Sequence, residues 1–293
     1  MSIRLGMLQA ARAAPTLLRE ATGRVVEFLH SLEMPDGGFR GRADASDLYY
    51  TAFGLGSMRA LGIEGTGDAL ARYAAGFGAG EGLDLVHLAC LVRLRSDGGV
   101  GVRGDARTAI LARIAALRTD DGGYGTAPGA EKGSAYGAFL ALGILQDLGQ
   151  EVPEADALAR ACLGLQSQDG GFGNEPGRAM GATPATAAVM TVLAELDAPV
   201  PTEACAWLCA RGDTNGGFFA VPGAPVPDLL STATALHALR GAGVALDRMR
   251  EACIDFVDSL WSPRGGFRGH ALDDTLDCEY TFYALLALGH LSA

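Results

Sequence analysis

The sequence predicts an all-α fold in which six helical hairpins form a closed, two-layer α/α barrel. Three observations predict it: a recurring Gly-Gly-aromatic motif, an amphipathic helix pattern before each copy, and a more apolar helix pattern after it. The second glycines of the motif are Gly38, Gly123, Gly171, Gly217 and Gly266, and the last four lie 46 to 49 residues apart. The first interval is close to two such units, so one copy of the motif has been lost there. A period of this size indicates one supersecondary unit copied along the chain.

The first helix of each hairpin carries charged residues on one face and apolar residues at three- and four-residue spacing. Such a helix buries only one side, which predicts the outer layer of the barrel. The predicted outer helices are Leu17–Leu32, Asp68–Phe77, Asp105–Leu117, Glu154–Leu165, Thr202–Cys209 and Asp247–Leu260.

The second helix of each hairpin is rich in alanine and leucine and has few charges, which predicts burial on most sides and the inner layer. The predicted inner helices are Asp47–Leu61, Leu83–Leu94, Glu131–Leu148, Thr183–Leu196, Asp228–Leu239 and Asp277–Leu291. Asp47, Thr183, Asp228 and Asp277 are residue types that cap helix N-termini. The glycines of the motif permit the positive φ angles of a turn. Periodicity alone also allows an open solenoid, in which the first and last hairpins lie far apart.

Composition and charge narrow the class of protein. The chain has 293 residues, of which 49% are hydrophobic, and we expect one domain over residues 1–293 because each hairpin buries its apolar face only against its neighbours. A net charge of −11 argues against nucleic acid or an anionic membrane as a partner. The six cysteines lack paired spacing and are expected to be reduced, buried thiols. With no signal-peptide pattern and no apolar run long enough to span a bilayer, the expected location is cytoplasmic.

Six hairpins with Gly-Gly-Phe motifs resemble the α/α toroid superfamily, which contains protein prenyltransferase β subunits and squalene/terpenoid cyclases. The resemblance covers essentially the whole chain. It implies an all-α, α6/α6 toroid with a central apolar cavity for an isoprenoid chain. It also implies a site at the cavity mouth, where the inner helices begin.

The prenyltransferase branch implies zinc ligands at the starts of two inner helices, and this chain departs from that pattern. Asp228 matches the ligand aspartate, but the cysteine position holds Leu230 and the histidine position holds Tyr280. A zinc site needs a thiol and an imidazole there, so zinc is not expected. Asp277 and Glu279 have ligand spacing with two carboxylates, which would suit magnesium or calcium better than zinc.

An Asp-x-x-His sequence of the same form occurs in the second hairpin, at Asp84 to His87. There, His87 is either a metal ligand or an inner-helix histidine that is hydrogen-bonded within the barrel.

The Gly-Gly-Phe-x-Gly-Arg motif of the prenyltransferases implies an arginine that helps to hold a diphosphate. Arg42 matches this arginine, and the last hairpin has a near copy in which Arg268 is retained and His270 replaces the arginine. If the ring closes, Arg40, Arg42, Arg268 and His270 are expected to converge on one anion. The alternative is that the arginines pair with aspartates and lock the seam of the ring. The candidate partners are Asp44, Asp47, Asp273 and Asp277.

The cyclase branch implies an Asp-x-Asp-Asp acid motif, which this chain lacks. It does have a cluster of carboxylates at the start of the last inner helix: Asp273, Asp274, Asp277 and Glu279. Crowded carboxylates raise the pKa of one another, so one of them is a candidate proton donor, with Asp273, Asp274 and Asp277 as the catalytic candidates. The aromatic content of 7% argues against a cation-stabilising cavity, which is usually lined by aromatic rings. The aromatic residues Tyr49, Tyr50 and Phe53 are expected opposite Tyr280, Phe282 and Tyr283 across the seam.

Three functions remain open from the sequence. The first is an isoprenoid-handling enzyme that binds a prenyl diphosphate or polyprenyl chain, with Tyr50, His87 and Tyr280 in contact with the chain. Its resemblance to β subunits implies a protein partner. The second is a single-domain, class II-like terpenoid cyclase that uses the acidic cluster. The third is a non-catalytic lipid-binding or scaffold toroid, which the loss of the zinc ligands favours.

Overall fold

The computed structural model of the chain describes residues 2–63 and 67–292. The helices are α1 Ile3–Ala11, α2 Pro15–Leu18, α3 Thr22–His30, α4 Leu48–Ala60, α5 Gly67–Ala75, α6 Leu85–Asp97, α7 Gly104–Ala115, α8 Ala135–Asp147, α9 Ala155–Leu163, α10 Thr183–Glu195, α11 Thr202–Cys209, α12 Leu229–Gly241, α13 Arg250–Ser259 and α14 Cys278–Leu291. A 3-10 turn at Arg19–Ala21 joins α2 to α3. Two short strands, β1 Phe39–Arg40 and β2 Ser46–Asp47, pair antiparallel in the first hairpin.

The six inner helices α4, α6, α8, α10, α12 and α14 form a closed ring. Each packs against the next, and α14 packs against α4. Outer helices lie against this ring, as α9 does against α8 and α10. The predicted closed, two-layer α/α barrel is therefore confirmed, and the open solenoid is excluded because the first and last hairpins are neighbours.

The aromatic residue of each Gly-Gly-aromatic motif is almost completely buried inside its hairpin. These residues are Phe39, Tyr124, Phe172, Phe218 and Phe267. In three hairpins a threonine of the inner helix accepts a hydrogen bond from the backbone N–H of this aromatic residue. The pairs are Phe39 with Thr51 at 2.8 Å, Phe172 with Thr186 at 2.9 Å and Phe218 with Thr232 at 2.9 Å. The motif thus anchors the turn to the inner helix and satisfies a buried donor.

Three of the four predicted N-caps are confirmed. Asp47, Asp228 and Asp277 precede their helices, and their side chains accept hydrogen bonds from backbone N–H groups of the first turn. The prediction for Thr183 was wrong, since the cap position is Ala182. The hydroxyl of Thr183 instead donates to the carbonyl of Phe219 in the next hairpin, so it links two repeats rather than capping one helix.

Helix α1 lies outside the repeat pattern and was not predicted. It packs against α14, α4 and α8, which lie on different sides of the ring, so it crosses one end of the barrel. Arg4 hydrogen-bonds to Asp97 and, at 2.8 Å, to Asp147, where α6 and α8 end. The backbone N–H of Ile3 donates to Oε1 of Gln146 at 2.9 Å. The barrel is therefore covered at the end where its inner helices finish.

The six cysteines are free thiols, and four of them are buried as predicted. Cys205 is half-buried and Cys209 is exposed, so the prediction of burial was wrong for Cys209. Helix α11, which carries both, lies in the outer layer. None of the helices within residues 2–63 and 67–292 has the length and hydropathy that a membrane crossing requires.

Candidate functional site

A cavity of about 500 Å³ occupies the centre of the ring. This volume falls in the range of small-molecule sites, roughly 300–1,000 Å³. Aliphatic and aromatic side chains from the inner helices line most of it. Tyr49, Tyr136 and Asn174 form the mouth, where inner helices begin, and Ile3 and Met7 of α1 form the floor. A larger cleft of about 850 Å³ lies outside the ring beside α4, α5 and α6, and it contains none of the predicted site residues.

The aromatic residues of the first and last inner helices meet across the seam, as predicted. The ring of Phe53 lies 5.6 Å, between centroids, from the rings of Phe282 and Tyr283, and 4.9 Å from that of Tyr49. Tyr49, Phe53 and Tyr283 line the cavity. This side of the cavity is consequently aromatic despite the low aromatic content of the chain.

Tyr50 and Tyr280 lie against the loops of the motif. A β-carbon built on Gly41 would overlap the ring of Tyr50, and one built on Gly269 would overlap the ring of Tyr280. The glycine after each Gly-Gly-Phe-Arg sequence is thus required by the close approach of a tyrosine. Tyr50 and Tyr280 were predicted to contact the isoprenoid chain, and both face the motif loops at the rim of the cavity.

Asp277 and Glu279 sit at the seam in environments that favour their protonated forms. Asp277 is fully buried, and one of its oxygens accepts from the backbone N–H of Tyr280 at 2.9 Å. Burial raises the pKa of Asp277. Glu279 accepts a hydrogen bond from the hydroxyl of Tyr49 at 2.7 Å, which links it to the cavity wall. Burial also raises the pKa of Glu279, against the lowering effect of that hydrogen bond.

Asp273 and Asp274 lie on the surface loop before α14. The side chain of Asp274 is 99% exposed. The pKa of Asp273 is lowered, because the hydroxyl and the backbone N–H of Thr275 hydrogen-bond to its carboxylate. These positions lack the burial that the predicted acid role requires, and they do not support it.

The arginines of the two loops pair with carboxylates. Arg40 lies 3.1 Å from Asp44, and Arg268 lies 3.4 Å from Asp274. Nε of Arg42 lies 3.7 Å from a carboxylate oxygen of Asp277, so this pair crosses the seam. The Arg42–Asp277 pair matches the alternative interpretation, in which arginines stabilise the ring closure, whereas Arg40 and Arg268 pair within their own loops.

The two predicted histidines lie in loops or at a helix start. Nδ1 of His87 is 2.8 Å from a carboxylate oxygen of Asp84, the N-cap of α6. Nδ1 of His270 accepts from the backbone N–H of Leu272 at 3.2 Å, within its own loop. Both contacts are local. For His87 they favour the interpretation of a hydrogen-bonded residue at the helix start.

Two polar features inside the cavity were missed by sequence reasoning. The first is Arg93, whose guanidinium carbon lies 4.8 Å from the ring centroid of Phe282. The second is His237, whose Nδ1 lies 2.9 Å from Nε2 of His290. Burial lowers the pKa of His237 to about 4 and that of His290 to about 3, so both are neutral at pH 7. The sequence signal that could have identified both residues is a charged or imidazole side chain at an inward position of an otherwise apolar helix.

Comparison with known proteins identifies the family. The sequence model of the prenyltransferase α/α toroid domain matches residues 5–78, 85–218 and 185–292. The chain belongs to this family. No curated protein matches the sequence significantly.

Among solved structures, the family member is similar to a variant of a type II terpene cyclase, MstE from Scytonema, at 16% identity and a TM-score of 0.66. The match covers 95% of this chain and 97% of that one. It is also similar to protein geranylgeranyltransferase-I of Candida albicans complexed with GGPP, with 13% identity, a TM-score of 0.65 and coverage of 90% and 89%. A protein from Actinoplanes matches at 16% identity and a TM-score of 0.63, with 93% and 99% covered. At these identities the likeness shows the toroid fold.

The residues of this toroid do not fit the zinc site of the prenyltransferases. Leu230 has no ligand atom, and Tyr280 supplies a phenol in place of an imidazole. Within the part of the chain that the structure describes, no group of three or more His, Cys, Asp or Glu is arranged to hold a metal. Asp277 and Glu279 are engaged by the backbone N–H of Tyr280 and by the hydroxyl of Tyr49. We therefore derive no chemical step through a metal.

Proposed function

We propose that the central cavity binds an isoprenoid chain and that Glu279, acting through Tyr49, protonates one of its alkenes to start cyclisation. The observation that carries this proposal is the 2.7 Å hydrogen bond between Glu279 and a tyrosine in the wall of an apolar cavity. This arrangement places a proton donor beside a binding site for a hydrocarbon chain.

The cavity suits a long apolar ligand. Its wall comes from the alanine- and leucine-rich inner helices, and α1 covers one end. Each buried methylene group contributes about 0.8 kcal/mol to binding. A polyprenyl chain therefore gains affinity from its length alone, without a specific polar contact.

The proton passes from Glu279 through Tyr49 to the ligand. When Glu279 is protonated, its O–H donates to Oη of Tyr49, and the hydroxyl hydrogen of Tyr49 moves to an alkene carbon of the ligand. Tyr49 regains a proton from Glu279, which becomes a carboxylate. Burial raises the pKa of Tyr49, so this phenol remains neutral between turnovers. The final carbocation loses a proton to solvent water and Glu279 takes up a proton from solvent, so the acid is regenerated and the product is an isomer of the substrate.

The comparisons support this proposal by analogy. MstE is a type II terpene cyclase, and the match with this toroid covers 97% of the MstE chain. Structures of MstE variants hold geranylgeranyl dihydroxybenzoate as substrate and merosterolic acid A as product.

Turnover in D₂O tests the proposed function. Purified protein is incubated with linear geranylgeranyl compounds that lack a diphosphate, and the products are analysed by mass spectrometry. Proton-initiated cyclisation yields an isomer of the substrate that carries one deuterium. A product formed only from the diphosphate, with loss of that group, would contradict the proposal.

A second candidate, binding of a prenyl diphosphate at the mouth, is favoured by Arg42. Its side chain is 53% exposed and lies 3.3 Å from the hydroxyl of Tyr280 at the rim. Under this function, Arg42→Ala should weaken binding of geranylgeranyl diphosphate by about 10- to 100-fold, since a charged hydrogen bond contributes about 1.5–3 kcal/mol. Binding of geranylgeraniol should not change. Arg40→Ala is the matched control, and an equal loss for both ligands would remove the diphosphate role.

The floor formed by α1 is expected to limit the length of the bound chain. Met7→Ala shortens a floor side chain and should extend the optimum toward longer chains in a binding series of C10 to C30 prenyl alcohols. Leu5→Ala, on the same helix but 44% exposed, should leave the optimum unchanged. Thermal unfolding checks that both variants fold, because removing a buried methionine costs about 2–5 kcal/mol. An unchanged optimum for Met7→Ala would show that α1 does not set the length.

A further inference from the structure

Arg93 is a charged side chain in the cavity wall that makes no hydrogen bond to another residue within 2–63 and 67–292. A guanidinium carries five N–H donors and no acceptor. Nε of Arg93 is buried without a hydrogen-bond partner. The nearest carboxylate oxygen, Oδ2 of Asp97, is 3.9 Å from Nε, which is beyond hydrogen-bond distance. A buried charge without such partners is costly, so an acceptor from a ligand would be strongly favoured.

The position of this guanidinium is set by its apolar neighbours. It lies over the rings of Phe282 and Phe53, at 4.8 and 5.4 Å from their centroids. Gly56 of α4 leaves room for it, since a β-carbon there would lie 2.9 Å from Nη2 of Arg93. The group is thus held in one place by stacking, and Arg93 is one of the residues that line the cavity.

The carboxylates near the floor are already engaged by other residues. Arg4 hydrogen-bonds to both Asp97 and Asp147, and Arg59 donates to the backbone carbonyl of Asp97. Burial raises the pKa of Asp147, which shifts this carboxyl toward its neutral form. Asp97 and Asp147 thus both pair with Arg4, and neither carboxylate hydrogen-bonds to Arg93.

Arg93 lies deeper in the cavity than Tyr49, the residue that delivers the proton. The guanidinium of Arg93 lies beside Gly56, which follows Tyr49 by seven residues on α4. At about 1.5 Å per residue, the two levels are about 10 Å apart along the helix axis. If Tyr49 delivers the proton to the end of the polyene, the opposite end of the ligand lies toward Arg93.

We propose that Arg93 binds the carboxylate of an isoprenoid acid, with the head group deep in the cavity and the polyene tail at the mouth beside Tyr49. This inference rests on the proposed function and assigns a substrate class to it. The planar guanidinium fork matches a carboxylate, which carries one negative charge. A diphosphate carries more charge than one guanidinium balances, and it would face Asp97 and Asp147.

A matched pair of ligands tests the inference by binding alone. Geranylgeranoic acid and geranylgeraniol share one chain and differ in the head group, and their affinities are measured by calorimetry below micelle-forming concentrations. The wild-type protein should bind the acid about tenfold or more tightly than the alcohol. Arg93→Met, which keeps an apolar stem over the two rings, should abolish this preference and leave the affinity for the alcohol unchanged. Arg93→Lys should retain part of it.

Arg42→Met is the matched control at the mouth and should keep the preference for the acid. Equal affinities in the wild-type protein, or equal weakening of both ligands by Arg93→Met despite a native thermal transition, would overturn the inference. Loss of the preference in Arg42→Met instead of Arg93→Met would also overturn it, because the head group would then lie at the mouth. If neither ligand binds, the proposed function fails and the inference fails with it. If the acid binds through Arg93 but no deuterium is incorporated, only the proposed catalysis fails.

Discussion

Glu279→Gln is expected to lower the rate of cyclisation by about 10²- to 10⁴-fold, the contribution of a positioned general acid. Glutamine keeps the size and can accept the hydrogen bond from Tyr49 that is 2.7 Å long in the native protein, but it has no acidic proton. Initial rates of product formation, followed by mass spectrometry, measure the loss. Retention of the wild-type rate would exclude Glu279 as the acid.

The same proton donor predicts the direction of the pH dependence. Only protonated Glu279 is active, so the rate should fall as the pH rises through its pKa. Because burial raises that pKa, the fall should begin at a higher pH than for an exposed glutamate. Asp274→Asn is the control, because this side chain is 99% exposed in the neighbouring loop and its loss should change neither rate nor profile. Tyr49→Phe should lower the rate as Glu279→Gln does, since it removes the relay and keeps the ring.

Gly216→Ala is expected to destabilise the fold by about 2–5 kcal/mol, the sum of overpacking and a positive φ angle for a non-glycine residue. Gly216 has a φ of +87°, and a β-carbon there would overlap the backbone carbonyl of Ala252 on α13. Backbone atoms of a packed helix cannot move aside as a flexible side chain does. Urea unfolding measures the change in the free energy of unfolding.

Gly170→Ala is the matched control for this prediction. Gly170 is the first glycine of another copy of the motif and has a nearly equal φ of +91°, but no atom lies within 4 Å of the position of its β-carbon. Its substitution should cost only the conformational strain, about 1–2 kcal/mol. Equal losses at both positions would show that contact with α13 contributes nothing.

The helices and their order were predictable because the signals for them are local. Apolar residues at three- and four-residue spacing marked the outer helices, and segments rich in alanine and leucine marked the inner ones. Asp47, Asp228 and Asp277 marked helix starts that the structure confirms. Thr183 shows the limit of that reasoning. An N-cap residue type also bonds to other partners, and here the hydroxyl of Thr183 donates to Phe219 in the next hairpin.

The candidate site was predictable only in part. The meeting of the first and last hairpins followed from closure, and it brings Tyr49 to Glu279 and Arg42 to Asp277. Which carboxyl of the acidic cluster is buried did not follow from sequence, because burial depends on how the loop before α14 lies on the ring.

The sequence by itself determined six copied hairpins that pack in a row, since a repeated pattern of apolar residues and turn glycines forces each unit to bury its face against the next. That the row closes into a ring was decided by the packing of α14 against α4. Only the tertiary structure decided what lies inside that ring. Helix α1 has no counterpart in the repeat, yet it covers the floor, and Arg93 is one more arginine in the sequence until Gly56, Phe53 and Phe282 place it in the cavity. The physical reason is that helix formation depends on neighbours in the chain, whereas the environment of a charge depends on residues far apart in sequence that closure brings together.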